Sequence, residues 1–214
     1  MGVRSQIALA DRANSFADIF YRLPMRTFAN LCVFCGSSTG SNPTHSATTK
    51  ALAEVMVAND IGLVYGGGET GLMGLIADTV LDLGGRVTGI IPVAIGKEVA
   101  HRGITELIEV DTMHDRKAMM YERSDAFIAM PGGLGTLEEV AEVATWRQLG
   151  MHDKPVGLLD SDGYYTHLLA WMDRAVDDGL LKEKNRGLVT SSADPQELLD
   201  LLRNDTTAYE AKWE

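Results

Sequence analysis

The amino-acid sequence predicts an α/β fold: a doubly wound parallel sheet of about seven strands with helices on both faces, in a single domain. From residue 30 onward, short apolar segments alternate with longer segments whose apolar residues recur at helical spacing. The short segments are apolar at nearly every position, which is typical of strands covered on both sides. Strands joined through helices in this way are parallel, and their crossovers are right-handed.

The predicted elements follow one another without a linker. Strands are expected at residues 31–35, 61–65, 86–91, 106–110, 126–130, 155–159 and 188–190. Helices are expected at residues 44–58, 71–83, 113–123, 135–149, 164–177 and 195–203. Pro92 is expected to end the third strand, with a loop after it.

Residues 1–28 precede this alternation and are predicted to form an N-terminal extension, whereas residues 29–214 form the domain. Apolar residues between positions 15 and 23 have helical spacing, so we expect a short docking helix that ends before Pro24. The extension carries charged residues and has no continuous apolar core, unlike a signal peptide. No apolar stretch predicts a transmembrane helix. We therefore expect a cytoplasmic protein without a membrane partner.

The net charge of the chain further restricts the classes of ligand that it can bind. There are 19 Lys and Arg residues against 30 Asp and Glu, which gives a formal net charge of −11. Because the resulting field repels polyanions, no nucleic acid is expected to bind. A small anion can still bind, since a phosphate site needs only local N–H groups and one or two cations.

The two cysteines, Cys32 and Cys35, have C-x-x-C spacing. They lie in a predicted apolar strand, where residues three apart point to opposite faces, so a disulfide between them is not expected. The sequence favours two buried thiols over a redox pair, and such thiols fit a reducing compartment.

A glycine-rich loop follows the second predicted strand, at the edge of the sheet where ligands of such folds bind. Gly66, Gly68 and Gly71 form a G-x-G-x-x-G pattern. A dinucleotide site would also need an acidic residue at the end of the next strand, which ends instead in Ile90-Ile91-Pro92. The loop therefore either packs a strand against a helix or belongs to a site for a mononucleotide or sugar phosphate.

A second glycine-rich loop, from Pro131 to Glu139, follows the fifth predicted strand and reads PGGLGTLEE. Its glycines let backbone N–H groups approach an anion at a helix N-terminus. The lysine of a Walker A loop is absent. Thr136 and Glu139 also have the spacing of a capping box, in which Glu139 would only bond the start of the helix. Spacing alone leaves both interpretations open.

Two cations, Arg116 and Lys117, open the predicted helix between the fourth and fifth strands. Cations at a helix N-terminus oppose the helix dipole, so this position is unfavourable unless an anion lies nearby. A bound anion would supply that charge; a solvated surface pair is the common alternative. His114 beside them is more often structural than an acid–base group.

These motifs together resemble those of one enzyme family. Pro131-Gly132-Gly133-x-Gly135-Thr136-x-x-Glu139, Gly66-Gly67-Gly68-x-x-Gly71-Leu72-Met73-Gly74 and Met113-His114-x-Arg116-Lys117 are similar to motifs of the Lonely Guy family. Its members are cytokinin riboside 5′-monophosphate phosphoribohydrolases with a Rossmann-like fold, historically labelled lysine decarboxylases. The resemblance extends over residues 30–203. Leu134 stands where the family often has Tyr or Phe.

The resemblance implies that Arg116 and Glu139 are the catalytic pair. It also implies a nucleotide site that includes Lys117 and, in the loop after Pro92, Glu98. The remaining implied contacts come from the second loop and its helix: Gly132, Gly133, Leu134, Gly135, Thr136, Leu137, Glu138 and Thr145. The glycines of the first loop that complete the predicted pocket are Gly66, Gly67, Gly68 and Gly71.

The implied reaction is hydrolysis of the N-glycosidic bond of N6-modified adenosine 5′-monophosphates, or of AMP, to free base and ribose 5-phosphate. Such cleavage builds oxocarbenium character on the ribose, and Glu139 would stabilise it, attack it or activate water. No metal or cofactor is expected, because no cluster has ligand spacing. A non-catalytic nucleotide or cofactor carrier on the same fold is one alternative. A lysine decarboxylase is another, and it would need a cofactor-bearing lysine.

The resemblance also implies a homodimer with the active site near the interface. Two predicted helices, from Met113 and from Gly135, carry more apolar residues than one buried stripe requires. These residues are Met119, Met120, Tyr121, Val140, Val143, Ala144 and Trp146. The alternative is a compact monomer in which both helices are internal.

Overall fold

The computed structural model describes residues 25–209, and these contain seven strands. The strands are β1 (Asn30–Phe34), β2 (Gly62–Tyr65), β3 (Val87–Pro92), β4 (Glu106–Val110), β5 (Ala126–Ala129), β6 (Val156–Leu159) and β7 (Val189–Ser192). All pairs are parallel, in the order β4-β3-β2-β1-β5-β6-β7. The predicted α/β fold with a doubly wound sheet is confirmed.

The described helices are α1 (Pro43–Ala58), α2 (Gly71–Asp82), α3 (Val93–Val99), α4 (Met113–Glu122), α5 (Leu134–Gln148), α6 (Thr166–Asp177), α7 (Glu183–Arg186) and α8 (Pro195–Arg203). A 3-10 turn at Ser161–Gly163 precedes α6. The sequence analysis missed α3 and α7, because helices of seven and four residues are too short for a periodic apolar pattern. Across residues 25–209, no helix combines the length and apolarity needed to cross a membrane.

The sheet has a separate apolar core on each face. Leu31 and Val33 of β1 pack with residues of α1, α2 and α8, whereas Phe34 packs on the opposite face with residues of α4, α5 and α6. The two cysteines follow this alternation, with Cys35 in the first core and Cys32 in the second. Both are free and buried, as the sequence predicts, and burial raises the pKa of each thiol.

The connections reverse direction at β1, and this reversal creates the crevice where ligands of open α/β sheets bind. Successive strands run outward from β1 to β4, and the chain then returns to place β5 on the other side of β1. The loops after β1 and β5 consequently meet. The Gly36 amide donates to the Pro131 carbonyl at 3.0 Å.

The described part of the N-terminal segment packs against the domain. Phe28 is buried in the first core, and Arg26 forms an ion pair with Asp153 at 3.3 Å. The predicted docking helix over residues 15–23 lies outside the described residues. The division into an extension and a domain stays a prediction.

Pro92 ends the third strand, as the sequence predicts, but the helix α3 follows it directly where a loop was expected. Pro92 is the last residue of β3 and pairs with Val110 of β4. On the other side, β2 ends opposite Gly89, so no carbonyl there needs the N–H that proline lacks. Glu98 lies on α3 and not in a loop.

Candidate active site

Arg116 is the cation at the centre of the site. It lies in α4, and its guanidinium is held from two sides: Nε donates to the Ile90 carbonyl at 3.2 Å, and Nη1 donates to Glu139 Oε1 at 3.0 Å. Both side chains of the ion pair are 11% exposed. The structure thus joins the two residues that the resemblance implied as a catalytic pair, although they are 23 residues apart in the chain.

Glu139 lies in α5 and faces the sheet, next to a small cavity that Phe34, Phe127 and Trp146 also line. Burial raises the pKa of this carboxyl, and the adjacent Arg116 guanidinium partly offsets the rise by favouring the carboxylate. Such a group combines a negative charge with poor solvation, which is the property expected of a carboxylate that acts on a developing cation.

The capping-box interpretation of Glu139 is wrong. The helix begins at Leu134 with Gly133 as its N-cap, and no side chain caps it. Thr136 is therefore already inside the helix and cannot be the cap. The first N–H groups of a helix have no partner within it, so this N-terminus is open to an anion.

A capping box does begin the preceding helix, α4, where Thr112 is the N-cap and Asp115 its partner. The Thr112 hydroxyl accepts from the Asp115 amide at 3.1 Å, and Asp115 Oδ2 accepts from the Thr112 amide at 3.1 Å. This box fixes the first turn of α4, from which Arg116 and Lys117 project.

Lys117 is paired with two carboxylates of α5. Its Nζ donates to Glu138 Oε1 at 2.5 Å and to Glu142 Oε1 at 3.0 Å. Burial acts to lower the pKa of Lys117, but the hydrogen bonds and charges of the two carboxylates outweigh it, so the pKa is raised. Two cations and three carboxylates thus meet between α4 and α5.

The first glycine-rich loop forms the wall behind Arg116. A Cβ at Gly66 would lie 1.8 Å from Arg116 Nη2, so only glycine leaves room for the guanidinium. Gly67 and Gly71 have φ of +73° and +63°, a region that favours glycine. A Cβ at Gly68 would lie 2.9 Å from Met73 Cε. The loop therefore serves packing and the site together.

Leu134, Gly135 and Leu137 lie on the open side of the first turns of α5. Leu134 is 86% exposed and Leu137 is 41% exposed. No atom beyond its own helix and neighbours lies within 4 Å of a Cβ built at Gly133 or Gly135. Space in front of this helix start is therefore available to a ligand.

Neither Glu98 nor Thr145 forms a hydrogen bond or an ion pair with Arg116 or Glu139. Glu98 is exposed on α3. Thr145 is six residues beyond Glu139, about 120° away around the helix axis. It lines a groove of about 410 Å³ between α5 and α6, together with Trp171 and Leu180.

The apolar residues on which the dimer prediction depended are largely internal. Met120, Val140 and Val143 are no more than 4% exposed and pack under the sheet. Two strongly exposed apolar residues line the groove instead: Trp171 is 65% exposed and Leu180 is 81% exposed.

Sequence reasoning missed two partners of the site. Glu142 holds Lys117, and the Ile90 carbonyl holds Arg116. The spacing of Glu138 and Glu142, one helical turn apart, is a signal for the first. A backbone carbonyl at a strand end carries no sequence signal. Within residues 25–209, no group of three or more His, Cys, Asp or Glu residues is arranged to hold a metal ion.

Comparison with known proteins agrees with these motifs. The sequence model of a family described as "possible lysine decarboxylase" matches residues 73–202, more than half of the chain. A cytokinin riboside 5′-monophosphate phosphoribohydrolase of Arabidopsis thaliana is 48% identical over 193 residues, 87% of this chain and 85% of the relative. Another from the same plant is 50% identical over 176 residues, 82% of this chain and 83% of the relative. The chain belongs to the Lonely Guy family.

Solved structures share the fold of this Lonely Guy protein. A molybdenum cofactor binding protein of Rippkaea orientalis has a TM-score of 0.61 at 24% identity, over 83% of this chain and 96% of that chain. A molybdenum cofactor carrier protein of Chlamydomonas reinhardtii has a TM-score of 0.62 at 19% identity, over 82% and 96% of the two chains. At this level of identity the likeness concerns the fold alone.

Proposed function

We propose that this Lonely Guy protein hydrolyses the N-glycosidic bond of N6-modified adenosine 5′-monophosphates, or of AMP, and releases free base and ribose 5-phosphate. The observation that carries the proposal is the buried 3.0 Å contact between Arg116 and Glu139, beside a helix N-terminus that no side chain caps. The substrate class is supported by the names of relatives about half identical to this chain.

The 5′-phosphate binds at the start of α5. Backbone N–H groups from Gly133 to Thr136 point out of the helix and favour an anion. Lys117 adds a positive charge, which its raised pKa keeps in place at neutral pH. Glu138 is 56% exposed and can yield its contact with Lys117 to the phosphate.

Glu139 acts on the ribose. As the bond between C1′ and the base nitrogen lengthens, positive charge develops on the ribose, and a poorly solvated carboxylate stabilises it strongly. The base leaves with a proton and water supplies the hydroxyl at C1′. Arg116 holds the carboxylate and neutralises part of its repulsion toward the phosphate.

Lysine chemistry fits this site poorly. A lysine that forms an imine must lose its proton. Lys117 is held between two carboxylates that favour its charged form. This argues against the decarboxylase function named in the family description.

We also propose that the protein is a cytoplasmic homodimer whose interface includes the groove between α5 and α6. The exposed apolar residues Trp171 and Leu180 line this groove, and so does Thr145, which the resemblance assigns to the nucleotide site. A two-fold pairing would bring one subunit's α5–α6 surface toward the other subunit's site. The free thiols of Cys32 and Cys35 fit a reducing compartment.

The test is to incubate the purified protein with isopentenyl-AMP, with AMP and with the corresponding nucleosides, and to detect free base by chromatography. We expect base from the monophosphates and little from the nucleosides, because binding energy at the phosphate positions the ribose. Nucleotide binding without base release would identify a carrier. Equal kcat/KM for a nucleotide and its nucleoside would contradict the phosphate site.

A further inference from the structure

Two adjacent tyrosines hold the backbone directly before α5. Tyr164 Oη donates to the Gly132 carbonyl at 2.5 Å, and Tyr165 Oη donates to the Met130 carbonyl at 2.6 Å. Both belong to the segment after β6, which the sequence analysis treated only as the start of a helix. These two bonds anchor the loop between β5 and α5 to the segment that follows β6.

The two bonds have different consequences for the loop. In a trans peptide, the carbonyl of one residue and the N–H of the next point in opposite directions. The bond from Tyr164 to Gly132 therefore turns the N–H of Gly133, the N-cap of α5, away from Tyr164. The peptide that Tyr165 holds leads into Pro131, which has no N–H to orient.

The ring of Tyr164 is itself held in place. It packs edge-on against His45 of α1 and against Tyr165, with ring centroids 5.5 Å and 5.2 Å away. The 3-10 turn before it is anchored to α1, because the Ser161 hydroxyl lies 3.1 Å from Thr48 Oγ1 and 3.3 Å from His45 Nδ1. The hydroxyl of Tyr164 thus reaches Gly132 from a fixed direction.

We propose that Tyr164 is a positioning residue for the 5′-phosphate: its hydroxyl holds the Gly132 carbonyl so that the Gly133 N–H faces the anion. This inference rests on the proposed function, in that it assumes a phosphate at the start of α5. Tyr164 is 46% exposed, so water can replace its hydroxyl at the Gly132 carbonyl. A water molecule satisfies the carbonyl but does not fix its direction as the anchored ring does. Loss of the hydroxyl is therefore expected to disturb the orientation of the loop far more than the stability of the fold.

The test compares Tyr164→Phe with the wild type and with Tyr209→Phe. Tyr209 is also 46% exposed, but it contacts Gly150, beyond the opposite end of α5. Affinities for ribose 5-phosphate and for adenine are measured by calorimetry, and kcat and KM are measured for the nucleotide. For Tyr164→Phe we expect ribose 5-phosphate affinity to weaken and KM to rise, each by about fivefold, with kcat and adenine affinity within twofold. Tyr209→Phe should match the wild type in every measurement.

Unchanged ribose 5-phosphate affinity in Tyr164→Phe would overturn the inference, and so would a fall in kcat at constant affinity. The proposed function fails in a different way. A wild-type protein that binds ribose 5-phosphate but releases no base contradicts the hydrolase, while the comparison of the variants still decides the role of Tyr164. A wild type that binds no ribose 5-phosphate contradicts both.

Discussion

Arg116 Nη1 lies 3.0 Å from Glu139 Oε1, and each side chain is only 11% exposed. The contact joins α4 to α5 at the crevice beside β1. Removing one partner of such a pair leaves the other as an uncompensated charge with little access to water. Substitutions at either residue therefore test the catalytic role proposed for the pair.

Glu139→Gln keeps the volume of the side chain and removes its charge. We expect base release to fall by about 100-fold or more, because the developing charge on the ribose loses its counter-charge. Nucleotide binding should persist, since repulsion toward the phosphate is also removed. Chromatography measures the first effect and calorimetry the second. Glu122→Gln, an exposed change at the end of α4, is the control. Near wild-type turnover by Glu139→Gln would show that Glu139 does not take part in catalysis.

Arg116→Ala and Lys117→Ala should differ in which kinetic constant they change. Arg116 holds Glu139, so its loss should lower kcat by about 100-fold. Lys117 is expected to contact the phosphate, so its loss should chiefly raise KM. Steady-state kinetics with the nucleotide separate the two effects. A normal kcat with a raised KM in Arg116→Ala would mean that Arg116 only holds substrate.

Gly66→Ala should impair the enzyme by displacing Arg116, although it replaces no charged residue. The added methyl group would lie 1.8 Å from Arg116 Nη2, so the guanidinium must shift, and we expect this shift to disturb its contact with Glu139. We expect kcat to fall toward that of Arg116→Ala while circular dichroism stays native. Gly103→Ala is the matched control, because the nearest atom to its added methyl is His101 Nε2 at 4.0 Å. If both variants keep full activity, the loop does not position Arg116.

The raised pKa of Glu139 predicts how activity depends on pH. Burial raises this pKa, partly offset by Arg116, so the carboxylate is lost on acidification earlier than an ordinary glutamate with a pKa of about 4.3. The acid limb of kcat/KM should therefore lie above that pH. A limb at the ordinary value would contradict an essential buried carboxylate.

Stability should change in the opposite sense. A carboxyl whose pKa is higher in the folded protein binds its proton more tightly there. This binding stabilises the fold fully below the pKa of the unfolded state, and the stabilisation is lost as the pH rises through the pKa of the folded state. The free energy of unfolding of the wild type, relative to Glu139→Gln, should therefore decrease from acid to neutral pH. Urea denaturation at several pH values measures this difference, and a constant difference would exclude the shift.

The proposed homodimer can be tested by measuring the molecular mass of the protein in solution. Light scattering at micromolar concentration should give about twice the 23.2 kDa of one chain. Trp171→Asp places a charge on a side chain that is 65% exposed, so it should leave the subunit folded and shift the mass toward the monomer. If the site is shared, activity should fall with the mass. A monomeric wild type with full activity would contradict the shared site.

The sequence by itself determined the sheet. Nearly continuous apolar segments such as 126–129 can be buried only between two layers, and the helices between them make the strands parallel. The opposite faces of Cys32 and Cys35 followed from the two-residue period of a strand. The resemblance to a known family added Glu139 through the second glycine-rich motif and Arg116 through the motif Met113-His114-x-Arg116-Lys117.

Only the tertiary structure decided which side chains meet. Local spacing fitted a capping box at Thr136, but the helix starts at Leu134, and Gly132 just before it is held by Tyr164, which is 32 residues away in the chain. The number of apolar residues on α5 suggested a subunit interface that includes Val143, but this residue is buried against the sheet. Glu142 and Tyr164 reach their partners across 25 and 32 residues. Such contacts depend on the order and register of the strands. Because order and register arise from packing over the whole chain, no local sequence pattern predicts them.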